Sequence, residues 1–226
     1  RMFLMQNKIS ELEIFFQLPH KNSFELIEGK GKVMVSAPHS VSQLRNNKLK
    51  EAEPQTGVIA KILSEELGIP VIYKTKNCND DANFDEVSDY KNVLAEYIKN
   101  NGIKVLIDLH QLSPDRDIQV DIGTANFKNL TDKRKLNVIL EAFTEKDFGK
   151  VQIDVPFGAS SPNTVSSFIH ENTGIESVQI EINSRLLFDK FEEYKFCDVY
   201  QAIKKIIQKL GEIADEEADI SRTKKQ

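Results

Sequence analysis

Short apolar runs rich in β-branched residues alternate along this chain with longer stretches whose apolar positions recur every three or four residues. The first kind predicts buried strands and the second amphipathic helices. Strands are expected over 32–37, 69–73, 104–109, 118–122, 151–155 and 177–182. Helices are expected over 54–67, 87–100, 132–144, 165–172 and 196–213. The helix signals include local punctuation. Glu53 stands at the cap position, Pro54 opens the helix at its favoured first position, and Gly68, Asn101-Gly102 and Gly174 are stops. The last helix is the clearest, with apolar residues at 196, 199, 200, 203, 206, 207, 210 and 213. The first thirty residues read as an edge strand or covering loop, 40–52 as a long polar loop, and 215–226 as a frayed charged tail.

Strand and helix in alternation predict an α/β single-domain three-layer sandwich, with a mixed, mainly parallel sheet and helices on both faces. At 226 residues the chain suits one domain over 1–226, and no Pro/Gly/Ser-rich linker divides it. Thirty basic against 35 acidic residues give a net charge of −5, which is no footprint for nucleic acid. No apolar run has the ~18 residues a membrane span needs, and the amino end shows no signal-peptide core, so no membrane partner and a cytoplasmic location are expected. Cys78 and Cys197 have neither the number nor the spacing of a disulfide framework or zinc knuckle.

Three strands carry polar residues where apolar ones would suffice. KVMVSAPH ends in His39 and KVLIDLH in His110, which places both imidazoles at the carboxyl edge of a parallel sheet, where ligands bind. SVQIEI holds Glu181 among isoleucines, and a buried carboxylate is costly unless catalysis or a cation requires it. Two histidines and a carboxylate are a common catalytic zinc set. Glu53, at a helix start on that same edge, is the expected third ligand, with Glu51 as the fallback. Asp108 lies two residues before His110 and is placed to orient an imidazole as its hydrogen-bond acceptor, or else to cap a loop. Glu181 is the expected general base, against the alternative of a buried ion pair with Arg185. Arg45, Arg116 and Arg185 follow or flank these strands. A guanidinium binds a substrate carboxylate or polarises a scissile carbonyl, and Arg116 is expected in the latter, catalytic role. His170 either contacts substrate or caps its helix.

VSAPHS, EPQTG, LIDLHQ and VQIEINSRLL together resemble the N-formylglutamate amidohydrolase family, which is related in fold to the zinc carboxypeptidases. The resemblance implies zinc at His39 and His110, catalysis at Glu181, and substrate contacts around Arg185 and His170. The segment DANFD, 81–85, looks like the family's Asp-x-Asn-Arg stretch, with Phe84 where an arginine is expected. The expected activity is metal-dependent hydrolysis of an amide bond in a small acidic substrate, an N-acyl amino acid or a γ-glutamyl-like compound. The competing reading is a non-catalytic ligand-binding or scaffold protein that retains the fold.

Overall fold

In the computed structural model, which describes residues 2–223, a seven-stranded sheet forms the middle layer. The strands are β1 (Phe24–Ile27), β2 (Val33–Ala37), β5 (Val71–Lys74), β6 (Val105–Leu112), β7 (Val120–Gly123), β8 (Val151–Ile153) and β9 (Glu176–Asn183). Their order is β1-β5-β2-β6-β9-β7-β8. The central four, β5, β2, β6 and β9, run parallel, β1 is antiparallel at one edge, and the β7–β8 pair runs opposite to β9 at the other. A separate hairpin joins β3 (Gln43–Arg45) and β4 (Lys48–Lys50).

Side-chain alternation divides the core in two. Val105, Ile107 and Leu109 of β6, with Val33, Val35, Val178 and Ile180 of its neighbours, face the larger cluster. That cluster is covered by α1 (Met2–Gln17), α2 (Pro54–Leu67), α4 (Lys133–Thr144) and α7 (Phe196–Thr223). Met34, Ile72 and Leu106 face the opposite way, under α3 (Asp89–Asn101) and α5 (Val165–Thr173). A short helix α6 (Ser184–Leu187) follows β9. Layers of helix, sheet and helix bear out the α/β three-layer reading. Among the described residues no helix is long and apolar enough to cross a membrane.

Four local expectations are corrected. Residues 2–17 form α1 rather than a strand or loop, because Ile9, Leu12 and Phe16 make a buried stripe. Exposed Leu4, Ile14 and Leu18 blur that stripe in the sequence; the edge strand comes afterwards as β1. The 40–52 stretch is not structureless: it folds into the β3–β4 hairpin, turning on Asn46 and Asn47 at φ 50° and 59°, a left-handed conformation that asparagine tolerates. The expected frayed tail continues α7 as far as Thr223, and 224–226 lie outside the described residues. Finally, β6 runs past His110 to Leu112, so that histidine lies within the strand instead of after it.

Candidate metal centre

The chain leaves β2, crosses by α2 to β5 on one side, and returns by α3 to β6 on the other. The carboxyl ends of β2 and β6 therefore flank the point where strand order reverses, which is where open α/β sheets bind ligands. His39 follows β2 there and His110 stands on β6. Glu53 arrives from far along the chain, yet its backbone N–H donates to His39 O at 2.7 Å, closing the neck of the hairpin excursion. Glu53 occupies the α2 cap position but makes no side-chain cap bond, and Thr56 Oγ1 bonds its carbonyl instead. Its carboxylate is free to turn toward the histidines.

The three side chains are buried and present ligand atoms within 4.8 Å of one another. Both imidazoles turn Nδ1 inward. Glu53 Oε1 is 3.3 Å from His39 Nδ1, Glu53 Oε2 is 3.2 Å from His110 Nδ1, and the two Nδ1 atoms are 3.2 Å apart. Each Nε2 is held from behind by a buried aspartate: His39 by Asp81 Oδ1 at 2.8 Å, His110 by Asp108 Oδ2 at 2.8 Å. A carboxylate only accepts, so each Nε2 carries the proton and each Nδ1 offers its lone pair to an ion. Asp81 is locked in turn by Arg45, whose Nε and Nη2 both reach Oδ2 at 2.9 Å.

The electrostatics fit a cation. Burial opposes charge on both imidazoles, but Glu53 and Asp81 outweigh it at His39, and Asp108 and Glu53 at His110, so both pKa values rise. Burial likewise opposes charge on Glu53, yet His39 and His110 hold its carboxyl well below its ordinary value. Asp81 is lowered in the same way by His39 and Arg45, against its burial. Three carboxylates, those of Glu53, Asp81 and Asp108, surround the two imidazoles and favour a positive charge between them, and the His39, Glu53 and His110 donor atoms could hold a metal ion.

Glu181 completes the group. In the parallel pairing of β6 and β9 it stands opposite His110, as Gln179 stands opposite Asp108. Burial, with Glu53 adding to it, pushes its carboxyl up to about 7, although His110 and His39 pull the other way. Its hydrogen bond is to Gln179 Nε2, at 3.0 Å, and not to Arg185. The buried ion pair considered as the alternative is therefore not formed.

These residues floor a cleft of about 540 Å³ with Arg45, Arg116, Phe84 and Phe157 among its walls. Two expected substrate residues lie elsewhere. Arg185 donates from Nη2 to Arg116 O at 2.7 Å and approaches Glu193, so it steadies the Arg116 loop. His170 bonds Ile175 O through Nδ1 at 2.8 Å, beside the amino end of β9 and thus across the sheet from the cleft. Glu51, the fallback, is exposed and lies outside the group that could hold a metal ion. Asp81, which holds His39 Nε2 from behind, is the site residue that sequence reasoning passed over; its presence in the DANFD segment was the available signal.

The fold, a mixed and mainly parallel sheet between helices, is shared with several solved structures. The chain is similar to a bacteriophage poly-gamma-glutamate hydrolase, with TM-score 0.57 and 15% identity over 86% of this chain and 92% of that one. It is also similar to an N-formylglutamate amidohydrolase from Ralstonia eutropha, with TM-score 0.55 and 11% identity over 86% and 99%. A metallo-carboxypeptidase from Burkholderia cenocepacia gives TM-score 0.50 and 14% identity over 89% and 67%. Neither a family model nor a curated protein sequence matches the chain. At these identities the likeness is one of fold, and it agrees with the resemblance seen in the sequence.

Proposed function

We propose that this protein is a zinc-dependent hydrolase that cleaves an amide bond in a small acidic substrate, an N-acyl amino acid or a γ-glutamyl-like compound. The observation that carries the reading is the convergence of two aspartate-backed Nδ1 atoms and the Glu53 carboxylate, with Glu181 directly across the strand pair from His110. A zinc ion held by His39, Glu53 and His110 would supply Lewis acidity at the scissile carbonyl.

The chain's own groups then divide the work. Asp81 and Asp108 fix both imidazoles in the tautomer that presents Nδ1. Glu181, with its carboxyl near 7, accepts a proton from the attacking water and returns it to the leaving amine; a pKa near the working pH favours both transfers. Arg116, on the cleft wall, binds substrate through its guanidinium. A scaffold that had lost its chemistry would have no use for an acid in this strand without a cationic partner, so Glu181 speaks for the enzyme.

Glu181→Gln tests the proposal. The variant should bind one zinc per chain like the wild type, while turnover of N-acyl amino acids falls by ~10²-fold or more. Unchanged turnover would overturn the assignment of Glu181, and a wild-type protein that takes up no zinc would overturn the metal centre.

A further inference from the structure

The cleft is lined by three cationic side chains besides the histidines, and two are already engaged. Arg45 places both Nε and Nη2 on the buried Asp81. Lys50 Nζ lies 2.5 Å from Glu53 Oε1. Arg116 has no carboxylate partner among the described residues and is exposed. It is the one guanidinium in the cleft available to a ligand anion.

The walls beside these groups are aromatic. Phe84 and Phe157 line the cleft and are 37% and 40% exposed, although each could have been buried or polar in a loop. The Arg45 guanidinium lies 4.9 Å from the Phe84 ring centroid and that of Arg116 5.1 Å from the Phe157 centroid. Neither ring sits on a slack loop. The turn bearing Phe84 is closed by Phe84 N and Asp85 N donating to Asp81 O. It is tied to the facing wall by Val165 N donating to Asn83 Oδ1, and by Lys91 Nζ donating to both Asp85 O and Asn163 O. Phe157 N donates to Asp121 Oδ2 at 2.7 Å. The rings are presented to the cleft by preorganised backbone, which lowers the ordering cost of stacking a ligand on them.

We infer that this site takes an amide bearing a single carboxylate, bound by Arg116, whose acyl group is aromatic or broadly apolar and rests on Phe157 and Phe84. The inference deepens the hydrolase reading and rests on it for the orientation of the amide. A second carboxylate on the ligand would find Arg45 and Lys50 already satisfied by Asp81 and Glu53.

The test is calorimetric binding of N-benzoylglycine, N-acetylglycine and N-formylglutamate to the zinc-loaded Glu181→Gln protein, with release of glycine or glutamate by the wild type measured separately. N-benzoylglycine should bind about three- to tenfold more tightly than N-acetylglycine, the range of an aromatic pair, and more tightly than N-formylglutamate. Adding Phe157→Ala should abolish the benzoyl advantage, and Phe157→Tyr should keep it. Adding Arg116→Gln should weaken both glycine compounds by about tenfold or more. The inference is overturned if N-formylglutamate binds best, if benzoyl and acetyl compounds bind alike, or if the zinc-loaded protein binds none of the three. Binding in the expected order without hydrolysis by the wild type would instead refute the hydrolase reading and leave the ligand class standing.

Discussion

His110 and Glu181 stand side by side in the register of two parallel strands, so the imidazole and the carboxyl project from one face of the sheet into one crevice. Asp108 and Gln179 form the next pair down on that face. The placement depends on strand pairing and not on loops, which fixes the separation of the two side chains.

Loss of a ligand should remove the metal without unfolding the chain. His39→Ala and Glu53→Gln are each expected to lower zinc content after dialysis from one per chain to a trace, as read by metal analysis, with the far-ultraviolet circular dichroism unchanged. Retention of stoichiometric zinc by both variants would show that the ion binds elsewhere.

The aspartates behind the histidines should tune affinity rather than abolish it. Asp108→Asn and Asp81→Asn leave all three ligands in place but withdraw the charge that holds each Nε2–H. Chelator competition should show zinc held about 10–100-fold more weakly in either variant. Wild-type affinity in both would mean that the pairing is incidental.

In the metal-free protein Glu181 should be a pH-dependent liability. Its folded-state pKa, about 7, lies above the ordinary 4.5, so the folded state holds the proton more tightly than the unfolded chain. Stability from this group is full below about 4.5, declines as pH rises through that window, and is lost above about 7. Metal-free Glu181→Gln should therefore melt above the wild type at pH 8, by on the order of 1–3 kcal/mol, and match it near pH 4.5. A lower melting temperature than the wild type at pH 8 would point to a structural ion pair that the geometry does not contain.

Gly57 of α2 packs closely against α1 and the segment after His39. A Cβ added there would come within 2.3 Å of Phe16 Cζ and 2.6 Å of Ser40 Cβ, so α1 and the segment after His39 would both have to move. Gly57→Ala should cost about 1–3 kcal/mol and lower the melting temperature by ~3–10 °C. An unchanged or raised melting temperature would show that Phe16 yields freely.

The sheet's central strands were legible because each is buried on both faces and reads as an apolar run, which made the polar interruptions at Asp108, His110 and Glu181 conspicuous. Glu53 was legible by its helix-start position, although what seats it is the bond from its N–H to His39 O across the closed hairpin. Asp81 was not, because its role exists only once the chain brings it to His39, 42 residues away. Of the two readings open for His170, its bond to Ile175 O, just past its own helix, fits the cap, and Arg185 is engaged by Arg116 O at the carboxyl end of β9. Proximity in sequence to the Glu181 strand says nothing about which end of that strand a side chain reaches, and His170 lies at its amino end. The first helix failed for a local cause: apolar residues on its outer side hid the buried stripe of Ile9, Leu12 and Phe16.

The alternation within β6 ties correctness of folding to chemistry. Leu106, Asp108, His110 and Leu112 share one face and Val105, Ile107 and Leu109 the other, so slippage by a single residue would drive an aspartate and a histidine into the oil beneath α2 and α7. Such a chain could not assemble the ligand triad at all. Metal uptake at this site would therefore act as proofreading, since only molecules whose central strands are in step bring His39, Glu53 and His110 together.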